Sequence, residues 1–237
     1  DAAHKITILA SIAFGVPIDF EAVHIEGISN LNQKDIRYAE ELGYRIKLLG
    51  IAKSDKSRVA IRVHPTLVPE KRLVANVDGA MNAVLVQGNM VGQTLYYGAG
   101  AGSEPTASAV AADIIDIARQ SKLSNKTLIP TLGFMPDKIQ KKNILSIEDI
   151  FSEFYLRFTM ENKAGLLAKI TQIFAEHKIS INSMVHKEVQ EDNQNPDIFL
   201  ITSKTKESDI NAIINEIELL PENIEKIVKI RTEDLKK

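Results

Sequence analysis

The chain has 237 residues, of which 44% are hydrophobic and 25% are charged, so a folded core is expected and general disorder is excluded. The 29 Lys and Arg residues nearly balance the 31 Asp and Glu residues, which argues against nucleic acid or an anionic membrane as a partner. Because the chain has no cysteine, disulfide frameworks, cysteine nucleophiles and thiolate zinc sites are excluded.

The chain starts with an apolar segment, and residues 2–14 predict a mostly buried helix. The apolar run at 6–18 is too short to span a bilayer, so no membrane association is expected and the cytoplasm is the expected location. The first residue is Asp rather than Met, which indicates a trimmed chain or a piece of a longer protein.

A second helix is predicted at residues 32–42, with Ile36, Ala39 and Leu42 along one side. Asn32 and Asp35 have the spacing of a capping box, and Gly43 is placed to end the helix. Alternating apolar and polar residues then predict five strands, at 44–53, 58–64, 73–76, 83–87 and 93–97. A glycine-rich turn at 98–102 leads into a helix at 106–120, so this region predicts an α+β fold with helices layered on a mixed or antiparallel sheet.

Residues 122–152 contain prolines and a cluster of lysines, which predicts an irregular linker between a first domain at 1–121 and a second at 153–237. The second domain alternates strands and helices in the order βαββαβ, which is typical of a ferredoxin-like fold. Its predicted elements are strand 154–160, helix 165–177, strands 180–188 and 197–203, helix 207–219 and strand 225–231. The outer face of such a sheet is expected to pair with another copy.

Three short patterns are candidates for chemistry. Asp1 and Lys5 are four residues apart, so on a helix their carboxylate and ammonium groups share one face and could meet a small polar substrate. An ordinary surface ion pair is the more common explanation of this spacing. The alternating glycines up to Gly102 let a backbone approach a ligand at a helix start, but a plain strand-to-helix turn with positive φ is the more common explanation.

The third pattern is Asn162-Lys163-Ala164-Gly165, between the first strand and first helix of the second domain. The N–H groups at that helix start could bind an amino-acid carboxylate, or Asn162 could act as a plain helix cap. The histidines are isolated in sequence, so no metal site is predicted.

The sequence patterns, taken together, resemble two known families. The runs DAAHKI at 1–6, AEELGY at 39–44, VHP at 63–65, GAMNA at 79–83, GAGAG at 98–102 and PTASAV at 105–110 resemble homoserine dehydrogenases. The runs ENKAGLL at 161–167 and ISI at 179–181 resemble an ACT domain, a regulatory domain that bacterial homoserine dehydrogenases commonly carry at this position.

The resemblance implies NAD(P)-dependent interconversion of L-aspartate 4-semialdehyde and L-homoserine, on the route to threonine, isoleucine and methionine. By position, Lys5 resembles the catalytic proton donor, Asp1 the substrate-binding carboxylate, and Gly102 the last glycine of the loop beside the nicotinamide. The resemblance also implies a homodimer or homotetramer, with threonine as a possible effector. The effector site would include Asn162, Ala164, Gly165, Leu166 and Ser180.

The family's Rossmann domain, which holds most of the NADP or NAD site, precedes the position of Asp1. We therefore expect the chain alone to be inactive. Ala164 stands where many ACT domains have proline, which weakens the expectation of effector binding. The alternative hypothesis is a non-enzymatic, amino-acid-sensing dimerisation module that acts through the ACT domain. A nucleic-acid-binding role is disfavoured, because the sheet lacks paired exposed aromatic residues.

Overall fold

The computed structural model describes residues 1–29, 31–55, 57–122, 130, 132–187 and 195–235. Part of the predicted linker, at 123–129 and 131, and the end of the predicted strand at 188 lie outside these residues. The described residues form five α-helices, which are α1 (Ala2–Phe14), α2 (Gln33–Glu41), α3 (Ser103–Ser121), α4 (Leu166–Glu176) and α5 (Glu207–Glu218).

The same residues form twelve strands. In the first half these are β1 (His24–Ile25), β2 (Tyr44–Ser54), β3 (Arg58–Pro69), β4 (Met81–Gly88), β5 (Gly92–Ala99) and β6 (Asn143–Ile144). In the second half they are β7 (Phe151–Ser152), β8 (Phe154–Thr159), β9 (Ile181–Lys187), β10 (Asp197–Thr202), β11 (Thr205–Lys206) and β12 (Val228–Thr232). The α+β class and the βαββαβ order are confirmed.

One mixed sheet joins the two halves of the chain. Strands β12, β8, β10 and β9 form the ferredoxin-like part, and β12 continues into parallel pairing with β3, where Arg231 lies opposite Thr66. Strand β3 also pairs with antiparallel β2, from Val59 to Pro69. Strands β4 and β5 form a separate two-stranded sheet.

Strand β3 is longer than predicted, because it continues past His64 and Pro65 to Pro69. Proline cannot donate a ladder hydrogen bond and is normally confined to places where none is needed. Here β3 changes its parallel partner around Pro65, from β1 at 62–63 to β12 at 66–67. The proline thus lies between the two short ladders.

The predicted strand at 73–76 is wrong, because Leu73–Asn76 is a single 3₁₀ turn. The Asn76 side-chain amide donates to the carbonyls of Glu70 and Arg72, at 2.8 and 3.0 Å. Such local side-chain bonds compete with a strand ladder and close the chain into a turn.

The expectation of a mostly buried α1 is also wrong. Its buried residues are Ala3, Thr7, Ala10 and Ser11, which lie on one stripe, whereas Ile8, Leu9 and Ile12 are exposed. The buried stripe packs on alternate residues of β3, namely Val59, Ile61 and Val63. The helix is therefore a layer on one sheet face, and its first turn stays open.

Helix α2 begins as predicted, since the Asn32 side chain accepts a hydrogen bond from the Lys34 amide, but its buried side differs. Ile36 is 43% exposed, whereas Asp35 is fully buried and does not close a capping box. Instead Asp35 accepts hydrogen bonds from Arg157 Nε at 2.6 Å and from the Tyr155 hydroxyl at 3.0 Å.

The outer face of the ferredoxin-like sheet, which was expected to pair with a second copy, is therefore covered by α2 of the same chain. Ala39 of α2 packs with Leu67, Tyr155, Phe199 and Ile230 in one buried cluster. The opposite face of that sheet packs on α4 and α5.

Arg231 links the two halves on the α5 side of the sheet. Its guanidinium donates to both carboxylate oxygens of Glu26, at 2.8 and 2.9 Å, and also to Glu207. Burial alone would raise the pKa of Glu26, but hydrogen bonds from His24 and Arg231 outweigh it and hold that pKa well below its usual range.

His64 lies in the same polar layer and is nearly fully buried. Its Nε2 accepts a hydrogen bond from Arg62 Nε at 3.2 Å, and Nδ1 contacts the Pro65 carbonyl at 3.0 Å. Burial, followed by the nearby charge of Arg231, lowers the pKa of His64 to about 3. The folded protein thus keeps this imidazole neutral at pH values where an unfolded chain would protonate it.

The buried pair predicts that Asp35→Asn lowers the free energy of unfolding by about 3 kcal/mol or more, because the buried Arg157 charge loses its carboxylate. Urea denaturation measures this change. The matched control is Asp149→Asn, which breaks the partly exposed pair with Lys206 and should change stability by less than about 1 kcal/mol. Equal effects of the two variants would contradict the assigned role of Asp35.

His64 predicts a pH dependence. The unfolded chain binds a proton below pH about 6.5, and the folded chain does so only near pH 3, so stability is lost as the pH falls through this window. Between pH 6 and pH 5 the loss approaches about 1.4 kcal/mol per pH unit. His64→Gln should flatten this slope in urea titrations, whereas His4→Gln should preserve it. An unchanged slope in His64→Gln would refute the prediction.

Candidate functional site

The first turn of α1 brings the predicted pair together. Lys5 Nζ lies 2.7 Å from Asp1 Oδ2, and the Lys5 amide donates to the Asp1 carbonyl at 3.2 Å. Asp1 is the N-cap residue of the helix, but its carboxylate bonds Lys5 and caps no backbone amide. The carboxylate and the ammonium group therefore form one compact polar unit at the helix end.

This pair is exposed, so the surface ion pair offered by its spacing is confirmed in geometry, whereas the expectation that it lies on a mostly buried helix is wrong. The side chains are 63% exposed for Lys5 and 83% exposed for Asp1. Such a pair adds little stability. Its exposure instead leaves a hydrogen-bond donor and an acceptor open to a small polar molecule.

The position of this open turn is set by the close packing of α1 on β2. A Cβ atom on Gly50 would lie 3.1 Å from Cβ of Ile6, the residue after Lys5. His4 is held on the other side, where its ring stacks on Phe20 with 4.2 Å between centroids. The residues that flank Lys5 are thus anchored while its own side chain stays accessible.

Gly102 lies on a different element, as the N-cap of α3 after β5, with φ +125°. Few residues other than glycine adopt this backbone conformation. The positive φ that the plain-turn explanation requires at Gly102 is therefore present. Gly100 lies close to the exposed Asn82 side chain, whose amide would have to move to make room for a Cβ atom at position 100. This glycine loop presents bare, exposed backbone beside a helix start, which is also what ligand approach requires.

A cavity of about 140 Å³ lies at the start of α4. Three of the predicted effector residues, Asn162, Gly165 and Leu166, line it, whereas Ala164 and Ser180 do not. The other lining residues are Lys163, Leu167, Ala168, His186 and Ile198.

Helix α4 begins after Gly165, which has φ +87° and caps the helix without a side-chain bond, so the expectation of Asn162 as the cap is wrong. Lys163 supplies a cation at the rim, paired with Glu161 at 2.5 Å, and the Glu161 hydrogen bond raises the pKa of Lys163. An ammonium group and the positive end of a helix dipole favour an anionic group such as a carboxylate.

His186 and Ile198, which no sequence pattern pointed to, form the far wall of the cavity. They lie opposite each other on β9 and β10. Strand alternation identifies them as a same-face pair once the ferredoxin-like strand order is known, but nothing in their local sequence marks them.

No helix among the described residues combines the length and apolarity that a membrane span requires. Within the same part of the chain, no three His, Asp or Glu side chains converge where a metal ion could sit.

Comparisons with known proteins agree with the two-part fold. Residues 1–115 match the family model for homoserine dehydrogenase, and residues 154–222 match the model for the ACT domain. The homoserine dehydrogenases of Neisseria gonorrhoeae and Pseudomonas aeruginosa are 48% and 47% identical over 235 residues, which is 99% of this chain and 54% of each relative.

Solved structures give the same result. The crystal structure of a homoserine dehydrogenase from Thiobacillus denitrificans superposes with a TM-score of 0.91 at 53% identity, covering 99% of this chain and 53% of that one. The Staphylococcus aureus enzyme at pH 6.0 superposes with a TM-score of 0.69 at 28% identity. The chain belongs to the homoserine dehydrogenase family and carries an ACT domain. It spans about half the length of the relatives it matches.

The exposed Lys5–Asp1 pair predicts that Lys5→Met changes the free energy of unfolding by less than about 0.5 kcal/mol. Lys47→Met is the contrasting variant, because the Lys47 ammonium is mostly buried and bonds the Val77 carbonyl and Asp78, both at 2.7 Å. It should cost roughly 1–2 kcal/mol in the same urea titration. A large loss of stability in Lys5→Met would show that the pair is structural.

Proposed function

We propose that this chain is the substrate-binding and regulatory half of a homoserine dehydrogenase that interconverts L-aspartate 4-semialdehyde and L-homoserine. The observation that carries the proposal is the exposed Lys5–Asp1 pair, within the residues that match the homoserine dehydrogenase model. One group of the pair donates protons and the other accepts hydrogen bonds, and both have room for a small substrate.

The two side chains have separate tasks in this proposal. The Lys5 ammonium donates a proton to the aldehyde oxygen as that oxygen gains negative charge, which leaves a neutral amine. In the reverse direction the neutral Lys5 amine takes the proton from the hydroxyl group. The Asp1 carboxylate binds the positively charged amino group of the amino-acid substrate. Substrate binding would then replace part of the Asp1–Lys5 contact.

The residues at the glycine loop fit part of an NADP or NAD site. The positive φ at Gly102 leaves exposed backbone without a side chain at the start of α3, where a cofactor ring could lie close. When bound, the cofactor supplies or accepts the hydride. We assign Gly102 to this contact, and the rest of the cofactor site to residues outside this chain.

Two exposed apolar surfaces support a larger assembly. Helix α3 has no buried residue, and its Val110, Ile114, Ile115 and Ile117 are each at least half exposed. We propose that α3 packs against the remaining half of the enzyme.

The β4–β5 sheet exposes Val84, Val86, Tyr96 and Tyr97. We propose that this sheet packs against a second copy of the chain in a homodimer or homotetramer.

We further propose that the cavity beside Gly165 is an effector site for a free amino acid such as threonine, and that Asn162, Gly165 and Leu166 contact the effector. It is smaller than the roughly 300–1,000 Å³ typical of pockets for drug-sized ligands, which suits so small a molecule. We also propose that residues 1–121 form the first domain, residues 122–152 the linker and residues 153–237 the ACT domain. We propose a cytoplasmic location for the protein.

The enzymatic proposal is tested by joining the chain to the upstream half of the Neisseria gonorrhoeae enzyme and measuring NAD(P)H formation from L-homoserine. We expect turnover by the joined protein and none by the chain alone. Lys5→Met should lower kcat by at least about 100-fold, because a positioned proton donor is lost. Lys206→Met, at a partly exposed pair with Asp149, is the control and should leave kcat unchanged.

Turnover by the isolated chain would refute the proposal that it is inactive alone. Full activity in the joined Lys5→Met protein would refute the role of Lys5. A joined protein that binds amino acids but never turns over would favour the non-enzymatic sensing module.

The effector proposal predicts that a saturating amino acid raises the melting temperature of the chain. At 100 times Kd the stabilisation is about 2.7 kcal/mol, which corresponds to several degrees for a chain of this size. Gly165→Val forces a branched residue to φ +87° and fills the mouth of the cavity, so the ligand-induced shift should vanish. Gly27→Val, where no atom lies within 4 Å of a Cβ, should retain the shift. Equal ligand-induced shifts of the melting temperature in both variants would contradict the assignment of this cavity as the effector site.

A further inference from the structure

A second cavity, of about 310 Å³, lies between the two halves of the chain, just past the end of α2. Leu42 and Tyr44 line it from the first half, and residues of β9, of β10 and of the segments that flank β8 and β12 line it from the second. It shares no lining residue with the cavity at Gly165. Its volume is at the lower end of the roughly 300–1,000 Å³ typical of ligand pockets.

The cavity exists because α2 is too short to cover the whole outer face of the ferredoxin-like sheet. Phe199 and Val185 lie opposite each other in the β10–β9 ladder and belong to the apolar cluster under α2. The next pair on the same face, Ile201 and Ser183, lines the cavity instead. Helix α2 has already ended at Glu41, so no helical side chain covers this pair.

The lining combines an apolar floor with two carboxylates. Ile201 is only 5% exposed and forms this floor together with Leu42. Glu153 and Asp234 supply the carboxylates, and among the described residues that line the cavity there is no Lys, Arg or His. The cavity therefore carries negative charge above a surface that favours methylene groups.

The contacts that the two carboxylates already make leave room for a cation. Glu153 accepts a long hydrogen bond from the Asn182 amide at 3.4 Å. Asp234 pairs at 3.4 Å with Arg72, which does not line the cavity, and both side chains of that pair are more than a third exposed. Such a pair is weak. Because a carboxylate can accept about four hydrogen bonds, each of the two can also bind an ammonium group.

We propose that this cavity binds a small aliphatic diamine or polyamine. One ammonium group pairs with Glu153 and another with Asp234, while the methylene chain lies on Ile201 and Leu42. A free amino acid fits this lining poorly, because its own carboxylate would be repelled. A metal ion fits poorly as well, since no three His, Asp or Glu side chains converge anywhere in the described part of the chain.

The test is titration calorimetry of the whole chain with putrescine, a four-carbon diamine, and with n-butylamine, which has one ammonium group. We expect putrescine to bind at least about tenfold more tightly, because it alone can pair with both carboxylates. Glu153→Gln and Asp234→Asn should each weaken putrescine binding by at least about tenfold. The charge-matched controls Glu176→Gln and Asp137→Asn, at exposed contacts elsewhere, should leave the Kd unchanged.

A further variant tests the cavity without changing any charge. Ser183→Leu fills the floor and should abolish putrescine binding, and its melting curve shows whether the variant folds. Glu153→Gln, at a partly exposed side chain, tests the site even if Ser183→Leu does not fold.

Three results would overturn the proposal. The first is no putrescine binding at millimolar concentration, and the second is an equal Kd for the cavity variants and their controls. The third is equal affinity for putrescine and n-butylamine, or displacement of putrescine by KCl but not by NaCl at the same ionic strength. The latter displacement would identify a site for a metal cation rather than for an organic one.

Discussion

Strand β12 lies between β8 and β3, so the hydrogen bonds that close the ferredoxin-like sheet continue into the sheet of the first half. The contact between the halves is therefore backbone pairing, which fixes register as well as distance. The shared sheet carries helices on both of its faces. The β3 residues on one face pack under α1 and α2, and Arg231 on the other face reaches Glu207 of α5 and Glu26 after β1.

Each charge that is buried at this junction requires a partner of opposite charge. Asp35, Arg157, Asp197 and Arg231 are nearly inaccessible to water, and each is compensated by a partner on another element. A buried ion pair roughly balances its own desolvation cost, whereas a buried charge without its partner is strongly unfavourable. The network therefore contributes specificity more than net stability, because other packings of α2 on the sheet would leave a charge unmatched.

Much of the fold followed from local pattern, and the failures have physical causes. Strand alternation and helix periodicity located all five helices and the longer strands, because those signals depend on short-range spacing. The strand expected at 73–76 failed because the Asn76 amide closes a turn. Asp35 was assigned to a capping box, since its partners Arg157 and Tyr155 are about 120 residues away and leave no local trace.

The candidate site could likewise be predicted only where short-range spacing determines it. The spacing of Asp1 and Lys5 predicted their contact, because one helical turn brings them together. Spacing alone left their exposure open between a surface ion pair and a pair on a buried helix, since exposure depends on which stripe of α1 faces β3. His186 and Ile198 were missed because only the sheet order brings them to the loop at Gly165. The result is one folded unit with an open substrate turn on one face and a small cavity on the other.

Scanning calorimetry tests the claim of one folded unit most directly. If the β3–β12 pairing and the α2 contact join the halves as described, the chain should unfold in a single transition whose calorimetric and van't Hoff enthalpies agree. Two resolved transitions, or a calorimetric enthalpy well above the van't Hoff value, would show that the halves unfold independently and would contradict the account.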